Sequence, residues 1–416
     1  MPIYYDSTGG YPNNPEDYAS PGVPNPVYVA PTLPPLSPTA TIVGTASNDN
    51  LSGTSGNDVL DGAGGNDLLY GGLGDDAYYV TVGDQVADDG GIDTIYFSGS
   101  GFWRLAPGFE NIVATGTGPT DFRGNNQDNV MIGNDADNYF NGRAGNDTMI
   151  GLGGNDHFDM STGRPADAVG GLWTMGARYI DGGDGIDTID YDGYARSPVN
   201  IDLGAGTASG GGDNGIGTAT LVSIENAVGG AYDDTIRGSS AANVLYGRGG
   251  NDTLYGGAGD DVLWGGPGDD ALSGGTGKDI LIGGDGNDTY LFGRGDGQDT
   301  VRESAGYDTV QFGAGISADQ IRLRRSANDV IASIAGTPDR LKIENWYLGP
   351  DNRVEQFKTA SGAVIPEKQV QELLFLSQVE NLVHAMAAFA AHPLGATSLP
   401  SNDAAQFEAV IAPSPH

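Results

Sequence analysis

From Gly229 to Leu291 one nine-residue unit returns without a gap, in the form Gly-Gly-x-Gly-x-Asp-x-apolar-x. Gly256-Gly257-Ala258-Gly259-Asp260-Asp261-Val262-Leu263-Trp264 is one copy, and the next begins at Gly265. A fixed short period dictates a stacked repeat, because a single unit is too small to bury its own apolar residue. Shorter arrays start at Gly44, Gly53, Gly62 and Gly71, and at Gly124, Gly133, Gly142 and Gly151. The eighth position is apolar throughout, from Leu51, Leu60, Leu69 and Tyr78 to Leu263, Leu272, Leu281 and Tyr290.

Glycines at positions one, two and four allow a tight turn with positive φ and close approach to the backbone. The last three residues then extend, and the middle one points inward by the alternation of a strand. Two units make one coil, so residues 18 apart lie above one another. This predicts an all-β fold, a parallel β-roll solenoid in three nonapeptide arrays (44–79, 124–159 and 229–291). Stacking also superimposes the sixth-position aspartates, and such a file of carboxylates needs a counterion. The arrays begin irregularly: Ser47, Gln127, Ala136, Tyr232 and Ala241 replace the fourth glycine, and Asn129, Asn138 and Asn243 replace the aspartate. Weak or absent metal binding is expected in those coils.

Composition points the same way. Gly accounts for 70 of 416 residues, and 55 acids face only 19 Lys and Arg, giving a formal charge of -36. That balance excludes a general nucleic-acid binder and implies self-repulsion unless counterions enter the structure. No apolar stretch is long enough to be a transmembrane segment, and the first residues, Met1 to Asp6, lack the features of a Sec-type leader. With no Cys there is no disulfide framework. Composition leaves cytosolic residence and non-classical export equally open.

The segments around the arrays carry their own signals. Residues 1–42 are Pro-rich and are expected to be a disordered lead-in. Between arrays, Gly91-Ile92-Asp93-Thr94, Gly185-Ile186-Asp187-Thr188 and Gly306-Tyr307-Asp308-Thr309 share a pattern, and Glu110-Asn111 and Glu225-Asn226 each precede an array. The connectors therefore read as strands continuing the coil, with the Gly-rich run Gly204 to Gly217 as a flexible excursion. Residues 292–366 read as a β-rich closing module with Trp346 and Phe357 in its core. Beyond Pro366, apolar residues at Val370, Leu373, Leu374, Leu376, Val379, Leu382, Val383, Met386 and Phe389 predict an amphipathic helix ending near His392-Pro393. Residues 367–416 thus comprise a helix and a loose tail.

The nonapeptides resemble those of the RTX (repeats-in-toxin, haemolysin-type) calcium-binding proteins over residues 44 to about 291. Residues Phe292 through Phe357 resemble the haemolysin-type calcium-binding related module that closes such arrays. The resemblance implies several Ca²⁺ ions held between turns by sixth-position aspartates and turn carbonyls. Carried onto this chain, the stacked pairs are Asp58 with Asp76, Asp252 with Asp270, Asp261 with Asp279, and Asp270 with Asp288. Asp49 with Asp67 and Asp234 with Asp252 have one irregular turn each. Asp147 and Asp156 face Asn129 and Asn138, which implies weaker sites. The turn residues that accompany them are Gly56, Gly65, Gly74, Gly145, Gly154, Gly250, Gly259, Gly268, Gly277 and Gly286. Oxygen-only ligation without Cys or a His cluster favours Ca²⁺ over zinc or copper.

The resemblance further implies type I secretion machinery as a partner, an uncleaved C-terminal signal and an extracellular, possible cell-surface, location. The terminus Ala412-Pro413-Ser414-Pro415-His416 departs from the acidic-then-apolar ending of many members. No catalytic residues are expected. There is no Gly-x-Ser-x-Gly elbow and no His-Glu-x-x-His among the four His. Arg294-Gly295-Asp296 falls within the repeat-closing motif. The favoured reading is a secreted calcium-binding protein that folds outside the cell in a structural role. Two alternatives stay open: a carbohydrate-binding or adhesive module using the outward aromatics Tyr246, Tyr255 and Trp264 on a surface polysaccharide, and a polysaccharide-modifying enzyme.

Overall fold

The computed structural model describes residues 38–161, 176–191, 195–212 and 217–390. It is nearly all β and built as a parallel β-solenoid. The chain divides into two compact units, one up to Val244 and one from Leu245.

In the first unit, strand Ala40–Val43 pairs in parallel with Asp58–Asp61, Ala40 lying opposite Asp58. The 18-residue register is that of two nonapeptides per coil. The coil therefore takes in residues that the sequence pattern left to the lead-in: Ala40, Thr41 and Ile42 belong to a strand, because they complete the first coil. The rest of that lead-in, 1–37, lies outside the described residues. Between the first two arrays, Thr94–Phe97 and Asn111–Ala114 stack in parallel on Ala77–Val80 and on each other. Val130 of the second array then pairs with Asn111. Register slips to 17 residues at Ala77↔Thr94 and 19 at Asn111↔Val130, yet the coil is unbroken.

The Gly-rich run departs from expectation. Val199–Asp202, Thr207–Gly210 and Thr218–Val222 form an antiparallel meander, with Val199, Ile201, Ala208, Ala219 and Leu221 buried. Alternate apolar residues give the segment a face to bury, so it is an ordered sheet extension; residues 213–216 lie outside the described residues.

In the second unit two parallel stacks oppose each other. One comprises Thr253–Ala258, Ala271–Thr276, Thr289–Phe292, Thr309–Phe312 and Gln356–Thr359. The other comprises Val262–Pro267, Ile280–Asp285, Gln298–Arg302 and Arg340–Ile343. The second stack continues into the antiparallel strands Asp329–Ile334 and Ile321–Ser326. Trp346 and Phe357 are both fully buried, with ring centroids 6.4 Å apart.

The predicted helix forms over Glu367–Ala390 and packs its first turns on Ile321–Ser326 and Val364–Pro366. Val370 and Leu374 are buried there, whereas Phe375, Leu376, Val379, Val383 and Met386 are exposed. At 100° per residue these sets point in opposite directions. The apolar pattern thus merges two stripes, and only one is covered. The expected end at His392-Pro393 lies outside the described residues.

The core of both units is the eighth position. Leu60, Leu69, Met131, Phe140, Leu245, Leu254, Leu263 and Leu272 are fully buried; Leu51, in the first coil, is half-buried. Burying a Leu contributes about 2 kcal/mol, and truncation adds the cost of a cavity. Leu263→Ala is expected to destabilise the calcium-loaded protein by roughly 2–5 kcal/mol, measured by denaturant unfolding at saturating calcium.

Candidate metal centre

Each sixth-position aspartate serves two purposes through its two oxygens. The first oxygen accepts a hydrogen bond from the backbone N–H of the sixth residue one coil earlier. Asp49 N–H donates to Asp67 Oδ1 at 2.7 Å, Asp58 to Asp76 at 2.7 Å, Asp252 to Asp270 at 2.7 Å, Asp261 to Asp279 at 2.8 Å and Asp270 to Asp288 at 2.8 Å. In the second array Asn129 and Asn138 donate in the same way to Asp147 and Asp156, at 3.1 Å and 2.7 Å. The carboxylate thereby satisfies a backbone donor that the turn would otherwise bury.

The second oxygen separates the turns into two kinds. In one kind the second residue donates its N–H to it: Thr45 to Asp49 Oδ2 (2.5 Å), Thr54 to Asp58 Oδ2 (2.5 Å) and Gly230 to Asp234 Oδ2 (2.5 Å); Ser239 donates in the same way to Oδ1 of Asn243 (2.6 Å), the single oxygen of that amide. The Thr45 and Thr54 hydroxyls add a second bond, each 2.8 Å. In the other kind the second residue takes positive φ, as at Ala63 (62°), Leu152 (82°), Gly266 (114°) and Gly284 (115°). There Oδ2 of Asp67, Asp76, Asp156, Asp270, Asp279 and Asp288 is buried with no hydrogen-bond partner.

In the first and third arrays the leading turns are closed, whereas the turns of Asp67, Asp76, Asp270, Asp279 and Asp288 are open. Asp58 and Asp234, expected to contribute to metal pairs, therefore have both oxygens engaged within the protein. Asp147 is a third case: the Nε of Arg178 lies 3.4 Å from its Oδ2, both side chains being fully buried. A guanidinium here stands where the other open turns present a bare oxygen.

Oxygen-rich cradles surround these orphaned atoms. A Cβ on Gly265 would collide with Asp270 Oδ2 and with the carbonyl oxygen of Gly283, 18 residues on. At Gly151 the same position meets Asp156 Oδ2 and the Gly182 carbonyl. Only glycine leaves this space open. An unpaired buried carboxylate oxygen costs several kcal/mol, so carboxylates converging with backbone carbonyls fit a hard, oxygen-seeking cation.

Residues that the nonapeptide count passed over continue the same file. Asp76 N–H donates to Asp93 Oδ1 (2.8 Å), and Asp93 N–H to Glu110 Oε2 (2.9 Å). Asp156 leads to Asp187 and then Glu225, and Asp288 to Asp308 and then Glu355. Glutamate is the last rung in all three. The signals were in the connectors: the Gly-x-Asp-Thr pattern and the Glu-Asn pairs. Gly182-Gly183-Asp184-Gly185-Ile186-Asp187 is itself a full turn, displaced because Asp187 follows Asp156 by 31 residues instead of 18.

Burial is the first cause of raised carboxyl pKa values along the file, opposed by the backbone N–H bonds. Asp76, Asp279 and Asp288 are raised to about 6, Asp156 and Asp270 to about 7, and Asp187 and Asp299 to about 8. A carboxyl whose folded-state pKa lies above its unfolded value stabilises the fold below about pH 4, and that contribution is lost as pH rises to between 6 and 8. Without metal the chain should gain β-structure as pH falls from 8 to 5. Ion binding requires the ionised form, so calcium affinity should fall over the same interval. Circular dichroism and calcium titration at both pH values measure the two effects.

The open turns also carry strain where the second residue is not glycine. Leu152, at φ 82°, is 40% exposed and lies outside the core. Leu152→Gly should raise the stability of the folded form by about 1 kcal/mol, the left-handed penalty exceeding the added unfolded-state entropy, read as a higher denaturation midpoint at saturating calcium.

The outward aromatics Tyr246 and Trp264 are half-buried, with ring centroids 6.0 Å apart and planes tilted by 33°. Among the described residues no helix is long and apolar enough to cross a membrane.

Two family models match the chain. The RTX calcium-binding nonapeptide repeat matches in four copies, at residues 43–78, 123–158, 228–263 and 264–299. The haemolysin-type calcium binding protein related domain matches residues 329–369, which starts at the strand Asp329–Ile334, well after Phe292, and runs into the helix.

Proposed function

Since this chain is an RTX, haemolysin-type calcium-binding repeat protein, we propose that it is exported unfolded and coils up on calcium outside the cell, in a structural or surface role. Calcium binding at several sites is the established part. The observation that carries the proposal is the set of buried, unpartnered Oδ2 atoms at Asp67, Asp76, Asp156, Asp270, Asp279 and Asp288. Each disfavours the metal-free fold, and their common orientation toward the turns lets a divalent cation reverse the penalty.

The ligands we propose are these Oδ2 atoms with Asp252 and Asp261, together with turn carbonyls such as those of Gly274 and Gly283. Asp49, Asp58 and Asp234, closed by their own turns, are assigned to the hydrogen-bonded file instead. The formal charge of -36 adds a general repulsion that calcium relieves. Metal affinity then becomes folding free energy, and extracellular calcium modules work at about 10⁻⁴–10⁻³ M. In a low-calcium cytosol such a chain stays extended, which suits passage through type I secretion machinery.

The test is far-UV circular dichroism during calcium titration. The chain should be largely unfolded in chelator and gain β-structure cooperatively in the millimolar range. Asp270→Asn should shift the midpoint to several-fold higher calcium. Native β-content in chelator at neutral pH would overturn the folding switch.

A further inference from the structure

Asp88 and Glu303 stand where a nonapeptide would place its first glycine. Counting back from the sixth-position residues Asp93 and Asp308, the units read Asp88-Asp89-Gly90-Gly91-Ile92-Asp93 and Glu303-Ser304-Ala305-Gly306-Tyr307-Asp308. Each follows the last nonapeptide of an array, and each lies outside the matched repeats. In both cases the preceding coil carries tyrosine at position eight, Tyr78 and Tyr290, in place of an aliphatic residue.

The two places have the same construction. Asp76, Asp88 and Asp93 each present a carboxylate oxygen within 4.8 Å of the others, as do Asp288, Glu303 and Asp308. The Tyr78 hydroxyl donates to Asp88 Oδ1 at 2.6 Å, and the Tyr290 hydroxyl donates to Glu303 Oε1. A Cβ on Gly71 would collide with Asp76 Oδ2, the Tyr78 hydroxyl and Asp88 Oδ1, so these atoms surround one point. At Gly283 the same point is bounded by Asp288 Oδ2 and the Tyr290 hydroxyl.

Two facts distinguish these clusters from surface acid. Asp76 and Asp93 are fully buried and Asp288 is 1% exposed, and Oδ2 of each lacks a hydrogen-bond partner. Among the described residues no Lys or Arg forms an ion pair with any of the six carboxylates. Three converging negative groups, without a basic partner, leave a charge that a divalent cation neutralises.

We propose that Asp76–Asp88–Asp93 and Asp288–Glu303–Asp308 are two calcium sites of a second type, in which the first-position carboxylate adds a third negative ligand at the end of an array. The proposal rests on the calcium-dependent reading of the repeats. Affinity for Ca²⁺ rises with the number of charged ligands, so these sites fill first and hold their ions longest. The tyrosine ring closes the core below each site while its hydroxyl fixes the first-position carboxylate.

The experiment is a count of bound calcium by elemental analysis after equilibrium dialysis, on the full chain and on Asp88→Asn, Glu303→Gln and the double variant. At free calcium low enough to strip the ordinary turns, the wild type should keep two ions, each single variant one and the double variant none. Terbium added at two equivalents should show tyrosine-sensitised emission, cut several-fold by Tyr78→Phe with Tyr290→Phe; this readout keeps every carboxylate and decides the matter if the charge variants fail to fold. An unchanged ion count in the folded double variant, or unchanged emission in the tyrosine variant, overturns the proposal. A wild type that binds no calcium at all would instead overturn the calcium-dependent reading itself.

Discussion

The backbone N–H bond to the sixth-position carboxylate of the next coil is the contact on which the rest of the structure depends. It sets coil above coil at fixed register, as in Asp58 to Asp76 and Asp270 to Asp288. It also determines what each aspartate has left to offer. One oxygen is committed to the fold, and the other is turned into the glycine-lined turn. Because a carboxylate accepts at both oxygens, a single residue type can be both rung and ligand.

What happens to the remaining oxygen depends on the second residue of the turn. Thr45, Thr54 and Ser239 direct an N–H, and in the threonines a well-placed hydroxyl, onto the sixth-position side chain. Gly266, Gly284 and the strained Leu152 take positive φ and leave it bare. The arrays thus grade from turns closed by hydrogen bonds to turns that need a cation. In this arrangement the metal-free chain pays twice, through buried charge and through like-charge repulsion along the file. Arg178 shows a different solution at Asp147, an internal cation that requires no exchange with solvent.

Much of this was legible in the residues. The period, the inward eighth position and the parallel stacking follow from spacing alone, and Leu254, Leu263 and Leu272 are buried as spacing requires. Trp346 and Phe357 are likewise buried in the closing β module. Asp187 and Asp308 were less accessible, because insertions change the spacing to 31 and 20 residues while the hydrogen bond is conserved. The Gly204–Gly217 run read as flexible for want of a local signal; its strand Thr207–Gly210 pairs with the flanking strands Val199–Asp202 and Thr218–Val222, which are themselves anchored on segments more distant in sequence, Thr235–Arg237 and Ala177–Asp184. The helix Glu367–Ala390 was legible as a helix, but its covered side was not, since apolar residues occupy two faces.

The chain's own sequence determined the coil: nine-residue periodicity, glycine at most positions where φ is positive, an apolar side chain once per unit and, in all but three units, an acid at position six. These are local properties, carried by each unit irrespective of its neighbours. Tertiary structure alone decided which oxygens are used up and which converge. Whether Asp58 is capped by Thr54, whether Asp147 meets Arg178, and whether Asp88 joins Asp76 and Asp93 all depend on which atoms the stacking brings within a few ångströms. Electrostatic and hydrogen-bond energies change steeply over that distance, while sequence spacing specifies position only to about one residue.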